Sequence, residues 1–525
     1  MRNLATSLLL ALAAKPAFAL TVNTIADDGI GNCDTTCTLR DAIATVASGG
    51  SIDFDLGPGG HTIYLDYEVY INTPVSIVGP GAELLTIIAW RDSFRLDVSS
   101  MYVNAATVIS GVTLADGHVV GESYDNSSDV HAGGWAVGGC ISASAPLTLA
   151  HVNVMYCSAT GGNAGRTDDD VANEGGTALG GAIYASGPLT LIDSSVTNSE
   201  VHGGKGADFY LGGGAGGAAL GCAIYASTGP VTISGSTISG CEATGGEGGA
   251  GPCGFDWQAG TGGSARGALW IADNVGSAVI TSSTFSGNSA NPGLGGYHYG
   301  CDRPSGSATG AAIANFGVAT VIDASTFVNN SAVNGGAIEN WKTLTVTNST
   351  LANNSGSAGA GIFNNPGATL VVSNSTLAGN VASLSGGGIE NTGTLYLLST
   401  IVSANTAPIG ADIHGVGPGN HSLGYNLIGN ATSSGLAATT GDQFGTAITP
   451  IDAKFSPAGL ANNGGPTQTI AVQPISPARN AGNCAGNANP AIAAITVDQR
   501  DRLRGAQCTI GAYDLDSIFN NGFGD

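Results

Sequence analysis

Side chains suited to acid–base chemistry are few in this chain and are scattered along it. His151 and Asp193 stand 42 residues apart, each just after a short alternating apolar segment. If those segments are adjacent strands, the two side chains lie about 4.8 Å apart, and a His–Asp pair can act as a general base. The equivalent positions elsewhere hold Gly235 and Ser282, which are turn-forming residues. We therefore interpret this column as a turn.

One segment fits a calcium-binding repeat. Residues 203–211 read GGKGADFYL and match the pattern G-G-x-G-x-D-x-U-x, whose sites share oxygen ligands between consecutive repeats. The next nine residues contain no Asp, so half of such a site is missing. Asp168, Asp169 and Asp170 in the preceding Gly-rich segment could complete a site with Asp208. Calcium and a solvated Gly loop are both open interpretations, and no other cofactor is expected.

Carbohydrate cleavage requires side chains that this pattern does not bring together. A lyase needs an Arg or Lys base near acidic calcium ligands, and a hydrolase needs paired carboxylates. The repeated strands carry almost no Lys or Arg, and we identify no two outward carboxylates on neighbouring turns. Aromatic residues that could bind a sugar or a protein lie in or beside Gly-rich segments: Trp135, Trp257, Trp270, Tyr297 and Tyr299. Binding is favoured over cleavage, and no catalytic residue is assigned.

A repeat that occurs eight times between residues 138 and 405 must position these side chains. Each copy opens with small residues and one aliphatic anchor, followed by a short alternating segment and a Ser-Thr-aliphatic step. The anchors are Ile141, Ile183, Ile224, Leu269, Ile313, Ile338, Ile362 and Ile389. A period near 25 residues with alternating apolar positions predicts one turn of a β-solenoid per copy. One turn cannot bury its own inward face, so the stacked turns share a core.

The spacing between anchors separates two halves of the solenoid. The last four anchors are 25, 24 and 27 residues apart, whereas the earlier gaps are 42, 41, 45 and 44 residues. The additional residues are Gly-rich and lack an alternating apolar run, as in residues 161–181. We interpret them as loops inserted at one corner of each turn, which places them on one flank of the solenoid. Insertions in repeat folds often build the binding face.

Two further columns of the repeat have structural interpretations. An Asn recurs after the second strand of the later copies and predicts a structural ladder at a bend: Asn288, Asn330, Asn354, Asn380 and Asn405. Asn tolerates the left-handed backbone found there.

Ten cysteines predict disulfides. Cys157 and Cys241 share a slot two turns, or about 10 Å, apart, too far for a bridge, and the same excludes Cys140 from pairing with Cys222. The pairs expected are Cys140–Cys157, Cys222–Cys241, Cys253–Cys301, Cys33–Cys37 and Cys484–Cys508.

Composition and the first residues predict an exported protein. The chain has 84 Gly and a net charge of −23, from 38 acidic and 15 basic residues. This balance excludes a nucleic-acid partner, which requires clustered Lys and Arg. Arg2, the apolar run from Leu4 to Ala14 and the Ala17-Phe18-Ala19 cleavage site predict a signal peptide over residues 1–19. No later stretch is long and apolar enough for a membrane helix.

The ends of the chain resemble known surface proteins. Residues 31–57 and 75–87 resemble the CSLREA-type N-terminal motif of bacterial surface β-helix proteins, with Thr38 and Asp41 as a helix capping box. The GGAI and F-x-x-N elements resemble the repeat of chlamydial polymorphic outer-membrane proteins. Residues 460–483 and 497–514 resemble the choice-of-anchor Q domain, and residues 518–523 resemble a terminal I-F-x-x-G-F signature. These resemblances imply a right-handed parallel β-helix at or beyond the surface of a Gram-negative bacterium, and no particular reaction.

The expected fold class is therefore all-β, a right-handed parallel β-helix with an N-terminal capping helix and a C-terminal β-rich module. The expected organisation is a signal peptide (1–19), an N-terminal cap (20–74), the parallel β-helix (75–415), the C-terminal module (416–514) and a tail (515–525). The expected function is a non-enzymatic adhesive or structural role, with an extracellular carbohydrate or protein as partner contacted through the inserted loops. The alternative is a polysaccharide lyase or glycoside hydrolase acting on acidic or plant-type polysaccharides.

Overall fold

A computed structural model describes residues 19–29, 31–89, 101–124, 131–165, 172–209, 212–251, 259–297, 303–415, 417–488, 491–505 and 507–515. Within these ranges the chain forms a parallel β-helix, as predicted, and no described helix is long and apolar enough to cross a membrane. The predicted signal peptide and terminal tail lie almost entirely outside the described residues.

Three long parallel sheets, called A, B and C here, form the faces of the β-helix. Sheet A contains Ala19–Val22, Gly50–Phe54, Val75–Val78, Thr107–Ser110, Leu147–Ala150, Leu189–Ile192, Val231–Ser234, Ala278–Thr281, Ala319–Asp323, Thr343–Thr347, Thr369–Ser373, Thr394–Leu398 and Asn420–Ser422. Sheet B contains His61–Leu65, Leu85–Ala89, Thr113–Ala115, Asn153–Met155, Ser195–Thr197, Thr237–Ser239, Thr284–Ser286, Thr326–Val328, Thr350–Ala352, Thr376–Ala378, Ile401–Ser403, Leu427–Ile428 and Gln443–Phe444. Sheet C contains Val69–Ile71, Met101–Val103, Ile141–Ala143, Ile183–Ala185, Ile224–Ala226, Leu269–Ile271, Ile313–Asn315, Ile338–Asn340, Ile362–Asn364, Ile389–Asn391 and Ile413–Gly415.

Two shorter parallel sheets exist where the turns carry insertions. Sheet D contains His118–Val120, Ser158–Thr160, Glu200–His202, Glu242–Thr244 and Ser289–Asn291. Sheet E contains Ala136–Val137, Ala178–Leu179, Ala219–Leu220, Ala265–Arg266 and Ala308–Thr309. The remaining strands form three two-stranded pairs, Ser355–Ala358 with Val381–Ser385, Phe455–Ala461 with Thr469–Val472, and Asn487–Ala488 with Ala491–Ile492. Each insertion leaves the helix after sheet D and returns through sheet E.

The core is a continuous apolar column inside the turns. The predicted anchors lie in register on adjacent strands of sheet C, for example Ile313, Ile338 and Ile362. All of these side chains are fully buried, and residues of sheets A and B such as Leu344 and Phe327 fill the space between them. The alternating inward positions therefore bury what one turn alone would leave exposed.

A short helix covers the first turn. It spans Leu39–Thr45, and its N-cap residue Thr38 forms the predicted capping box with Asp41. Asp41 accepts the amide of Thr38 at 3.2 Å, while the Thr38 hydroxyl accepts the amide of Asp41 at 3.1 Å. Leu39, Ala42 and Ile43 are buried in the core cluster. The helix therefore shields the open end of the solenoid.

The backbone hydrogen bonds of the Gly-rich insertions repeat every three residues. Outgoing segments donate backbone amides to the next turn, from Gly203, Gly206 and Phe209 to Thr244, Glu247 and Ala250. The amides between them donate to the returning segment of the preceding turn, from Gly204 to Gly176 and from Ala207 to Asn173. Bonding to neighbouring segments every third residue is typical of packed extended helices with three residues per turn. We call the described parts of residues 121–134, 161–177, 203–218, 245–264 and 292–307 the glycine slab.

The segment after residue 450 packs along the outside of sheet B. The side chain of Gln499 donates to the Ser325 carbonyl at 3.2 Å and accepts from the Thr350 hydroxyl at 2.6 Å. Arg504 donates to the side-chain oxygen of Asn348 at 2.9 Å. The strands Asn420–Ser422, Leu427–Ile428 and Gln443–Phe444 continue sheets A and B, so the helix extends beyond residue 415, where the sequence placed the start of a separate module. The outer face of sheet B is thus covered in the later turns.

Three of the expected disulfides are present. Cys140–Cys157 has a Cα–Cα distance of 5.5 Å, and Cys33–Cys37 and Cys484–Cys508 are also bonded. The bond expected between Cys222 and Cys241 is not formed in this structure. Both thiols are free and buried, and burial together with the neighbouring Cys241 raises the pKa of the Cys222 thiol well above its usual range. Cys253 and Cys301 lie outside the described residues.

Candidate functional site

A groove runs along the corner between sheets B and D, in the turns that the C-terminal segment does not cover. Asp116, Tyr156 and Asn198 occupy this corner in three consecutive turns, with positive φ values of 57°, 57° and 51°. A left-handed residue reverses the local direction of the chain. The backbone therefore turns sharply after sheet B.

The groove has a volume of about 520 Å³ and is open to solvent. It is lined by Tyr64, Ile88, Ala89, Asp116, Tyr156, Cys157, Ser158, Asn198 and Glu200. These residues come from five consecutive turns, since each sheet B strand pairs with the next from residue 61 to residue 197. Strands lie about 4.8 Å apart, so the groove extends for roughly 19 Å along the helix axis. This shape suits an extended chain better than a compact ligand.

Two tyrosines give the groove apolar surface. Tyr64 is 45% exposed and Tyr156 is 54% exposed. Tyr64 follows the buried Ile63 and precedes the buried Leu65, so strand alternation points its ring outward. Aromatic rings beside a few polar groups are the usual composition of a ligand site.

The polar groups of the groove come from sheet D. The Ser158 hydroxyl contacts Nδ1 of His118 on the preceding turn. Glu200 pairs with Ser158 on one side and with Glu242 on the other. The Glu200 carboxylate lies 3.1 Å from Nε2 of His202. Donors and acceptors are thus placed along one side of the groove.

Glu200 and Glu242 correct an expectation from the sequence. No outward carboxylates were expected on neighbouring turns, yet these two residues are direct partners on adjacent strands of sheet D. The error arose because sheet D exists only in the turns with insertions and was not recognised as a strand. The available signal was the shared spacing of Asn198 to Glu200 and of Gly240 to Glu242, an acidic residue two positions after each corner.

The aromatic residues selected from the sequence have different surroundings. Trp270 stacks between Tyr225, with ring centroids 6.0 Å apart, and Phe316, at 4.5 Å. Its ring faces are therefore occupied by protein neighbours. Trp135 is 70% exposed and Tyr297 is 63% exposed, both in the glycine slab or at its edge. Trp257 and Tyr299 lie outside the described residues.

The calcium hypothesis receives no support from Asp208. One carboxylate oxygen lies 2.7 Å from the Lys205 ammonium, and the other accepts the Ala250 amide at 2.7 Å. A cation would have to displace both contacts. Asp168, Asp169 and Asp170 lie outside the described residues, and the described ones contain no group of three or more His, Cys, Asp or Glu side chains arranged to hold a metal ion.

The remaining columns have structural roles. His151 and Asp193 have φ values of 55° and 47°, which agrees with their interpretation as turn residues. The side-chain amides of the Asn ladder donate along the stack at 2.8–2.9 Å: Asn288 to Asn330, Asn330 to Asn354, Asn354 to Asn380, and Asn380 to Asn405. A second ladder, missed in the sequence, joins Asn315, Asn340, Asn364, Asn391 and Asn420 at 2.6–2.9 Å. The sequence feature that indicates this second ladder is the motif Ile-x-Asn, which begins at each of four successive anchors.

The composition of the described lining limits which chemistry the groove can support. None of the described lining residues is Lys or Arg, the bases that a lyase of the expected type would need. Tyrosine rings and the amide and carboxylate of Asn198 and Glu200 are suited to hydrogen-bonded recognition of a polar chain. The arrangement therefore favours binding.

No known protein family and no curated protein matches this sequence. Among solved structures, pectate lyase Pel9A is similar over 94% of this chain and 96% of its own, with 15% identity and a TM-score of 0.34. A rhamnogalacturonan lyase covers 88% of this chain and 96% of its own, with 9% identity and a TM-score of 0.31. XylC in complex with xylose covers 95% and 98%, with 8% identity and a TM-score of 0.38. These likenesses assign no activity to the chain.

Proposed function

We propose that the protein is an exported, non-enzymatic β-helix protein that binds an extended glycan along the groove between sheets B and D. The observation that carries this proposal is the groove itself, which crosses five turns parallel to the helix axis and has Tyr64 and Tyr156 exposed along it. A linear sugar chain can contact both aromatic rings and the polar groups of Asn198 and Glu200 at once. The sequence analysis placed the binding surface on the inserted loops, which form the glycine slab. This proposal places it at the neighbouring corner between sheets B and D.

Export is supported by the disulfides Cys33–Cys37, Cys140–Cys157 and Cys484–Cys508, because structural disulfides persist in oxidising compartments. The signal peptide expected over residues 1–19 and the resemblance of the terminal motifs to surface proteins agree with this location. We propose that the protein acts at the outer surface of a Gram-negative bacterium or is released from it. An adhesive or structural role follows if the glycan belongs to a matrix, a host or a neighbouring cell.

The test is binding of the purified protein to a panel of soluble polysaccharides, measured by affinity electrophoresis. The double variant Tyr64→Ala/Tyr156→Ala is expected to weaken binding at least tenfold. Tyr70→Ala is a matched control, since Tyr70 is also about half exposed but stacks on Tyr102 in sheet C. Equal binding by the double variant and the wild type would remove the groove from the proposal.

A second function, hydrolysis of the bound glycan, is favoured by one observation. Glu200 and Glu242 are in register on adjacent strands, a separation of about 4.8 Å. Retaining glycosidases place their two carboxyl groups about 5–5.5 Å apart. Release of reducing ends that disappears in both Glu200→Gln and Glu242→Gln would establish this activity. Binding without release of reducing ends would leave the non-enzymatic function.

A further inference from the structure

The charged residues that line the groove are acidic, and the described residues give them one basic partner, a histidine. Asp116 and Glu200 line the groove, and Glu242 continues the same column of sheet D. The described ion-pair partner of Glu200 is His202. Glu242 instead accepts from neutral groups, the Thr244 hydroxyl at 3.2 Å and the Asn291 amide at 2.9 Å. The groove therefore presents an excess of negative charge on a molecule whose net charge is −23.

Two carboxylates directly opposite each other on adjacent strands repel, and this pairing is unfavourable without a cation. An ammonium group donates hydrogen bonds of about 2.7–2.9 Å to carboxylate oxygens. One ammonium can therefore bridge oxygens separated by roughly the spacing of two strands, about 4.8 Å. A bound cation would relieve the repulsion between Glu200 and Glu242.

The type of cation follows from the number of ligands. Calcium takes about six to eight oxygen ligands, whereas the described side chains beside Glu200 and Glu242 are an imidazole, a hydroxyl and an amide. An ammonium needs only a few acceptors and supplies three donors. An amino group on the glycan fits this place better than a metal ion.

We propose that Glu200 and Glu242 make the groove selective for glycans that carry free amino groups, such as chains of glucosamine. This inference rests on the proposed glycan binding along the groove and names its ligand class. Uronate-rich polysaccharides are disfavoured because their carboxylates would face Asp116, Glu200 and Glu242 with no Lys or Arg in the described lining. The acidic polysaccharides of the alternative hypothesis are therefore poor ligands for this groove.

The experiment compares three oligosaccharides of equal length by isothermal titration calorimetry with the full exported chain. They are a glucosamine tetramer, its fully N-acetylated form and a galacturonate tetramer. We expect the glucosamine tetramer to bind at least tenfold more tightly than the acetylated one, with a preference that falls as salt screens the charges. The galacturonate tetramer should bind weakest.

Variants assign the preference to the two carboxylates. Glu200→Gln/Glu242→Gln should bind both glucosamine forms with similar affinity, whereas Glu247→Gln, an exposed acidic residue of the glycine slab, should leave the preference unchanged. Titrations with calcium and with EDTA separate an ammonium site from a metal site, and a preference that requires calcium would overturn the inference. Equal binding of both forms by the wild type would also overturn it while leaving glycan binding intact. Failure of all three ligands to bind would count against the proposed function itself.

Discussion

Asn405 donates its side-chain amide to the Asp412 carboxylate at 2.9 Å, and this contact ends the Asn ladder. The same carboxylate accepts the backbone amides of Asn405 at 3.1 Å and of Asn430 at 2.6 Å. Asp412 thus takes the place of the next Asn in the stack. A titratable group at this position makes the end of the ladder sensitive to pH.

Burial raises the pKa of Asp412 to about 6, although hydrogen bonds from Asn405 and Asn430 oppose the shift. The folded state therefore holds this proton more tightly than the unfolded chain, whose pKa is near 3.8. The stabilising contribution is fully present below pH 3.8 and is lost as pH rises through about 6. We expect up to about 3 kcal/mol between these limits.

The measurement is the free energy of unfolding of wild type and Asp412→Asn from pH 3.5 to pH 7. The wild type should lose stability relative to the variant as pH rises through this window. Parallel pH profiles for the two proteins would show that Asp412 does not titrate in it.

Asn354→Ala should destabilise the regular turns strongly. The Asn354 side-chain oxygen accepts both the backbone amide of Asn330, at 3.0 Å, and its side-chain amide, at 2.9 Å. Removing this oxygen leaves two buried donors unpaired, at a cost of about 2–4 kcal/mol. Asn72→Ala, which removes one exposed contact with Asn104, should change the unfolding free energy by less than about 0.5 kcal/mol. Similar losses in both variants by urea denaturation would contradict the ladder's role.

Gly204→Ala should disrupt the glycine slab. A Cβ at Gly204 would lie 1.9 Å from the carbonyl oxygen of Gly162, so neighbouring segments must separate. We expect a loss of about 3 kcal/mol or more, or local opening of the slab seen as faster hydrogen exchange. Gly276→Ala is the matched control because a Cβ there meets nothing within 4 Å. Unchanged exchange in Gly204→Ala would show that the segments are not packed as described.

Oxidation should join Cys222 to Cys241. Their thiols interact, and Cys241 holds the position that Cys157 occupies two turns earlier, where Cys157 is bonded to Cys140 with a Cα–Cα distance of 5.5 Å. Mass mapping of the protein secreted into an oxidising medium should find this pair linked. In the Cys222→Ser variant, Cys241 should have no disulfide partner and should be found as a free thiol. A Cys241 that is still disulfide-bonded to another cysteine in this variant would contradict the assignment.

The sequence predicted the features that repeat locally and missed those that depend on distant contacts. Anchors such as Ile313 and Ile338 and the ladder from Asn288 are visible because each turn repeats the same requirement. Sheet D was missed because its three-residue strands, such as Glu200–His202, are too short to show alternation. The contact of Gln499 with Ser325 joins residues 174 positions apart, and no local pattern indicates it. The groove exists only because this segment leaves the earlier turns uncovered.

The most direct test of the account is hydrogen exchange of the protein with and without a saturating glucosamine oligomer. We expect protection at residues 113–118, 153–158 and 195–202, which form the corner between sheets B and D, and no change at the exposed face of the glycine slab. Protection confined to residues 292–297 of the slab, or no protection with any glycan, would contradict binding in the groove.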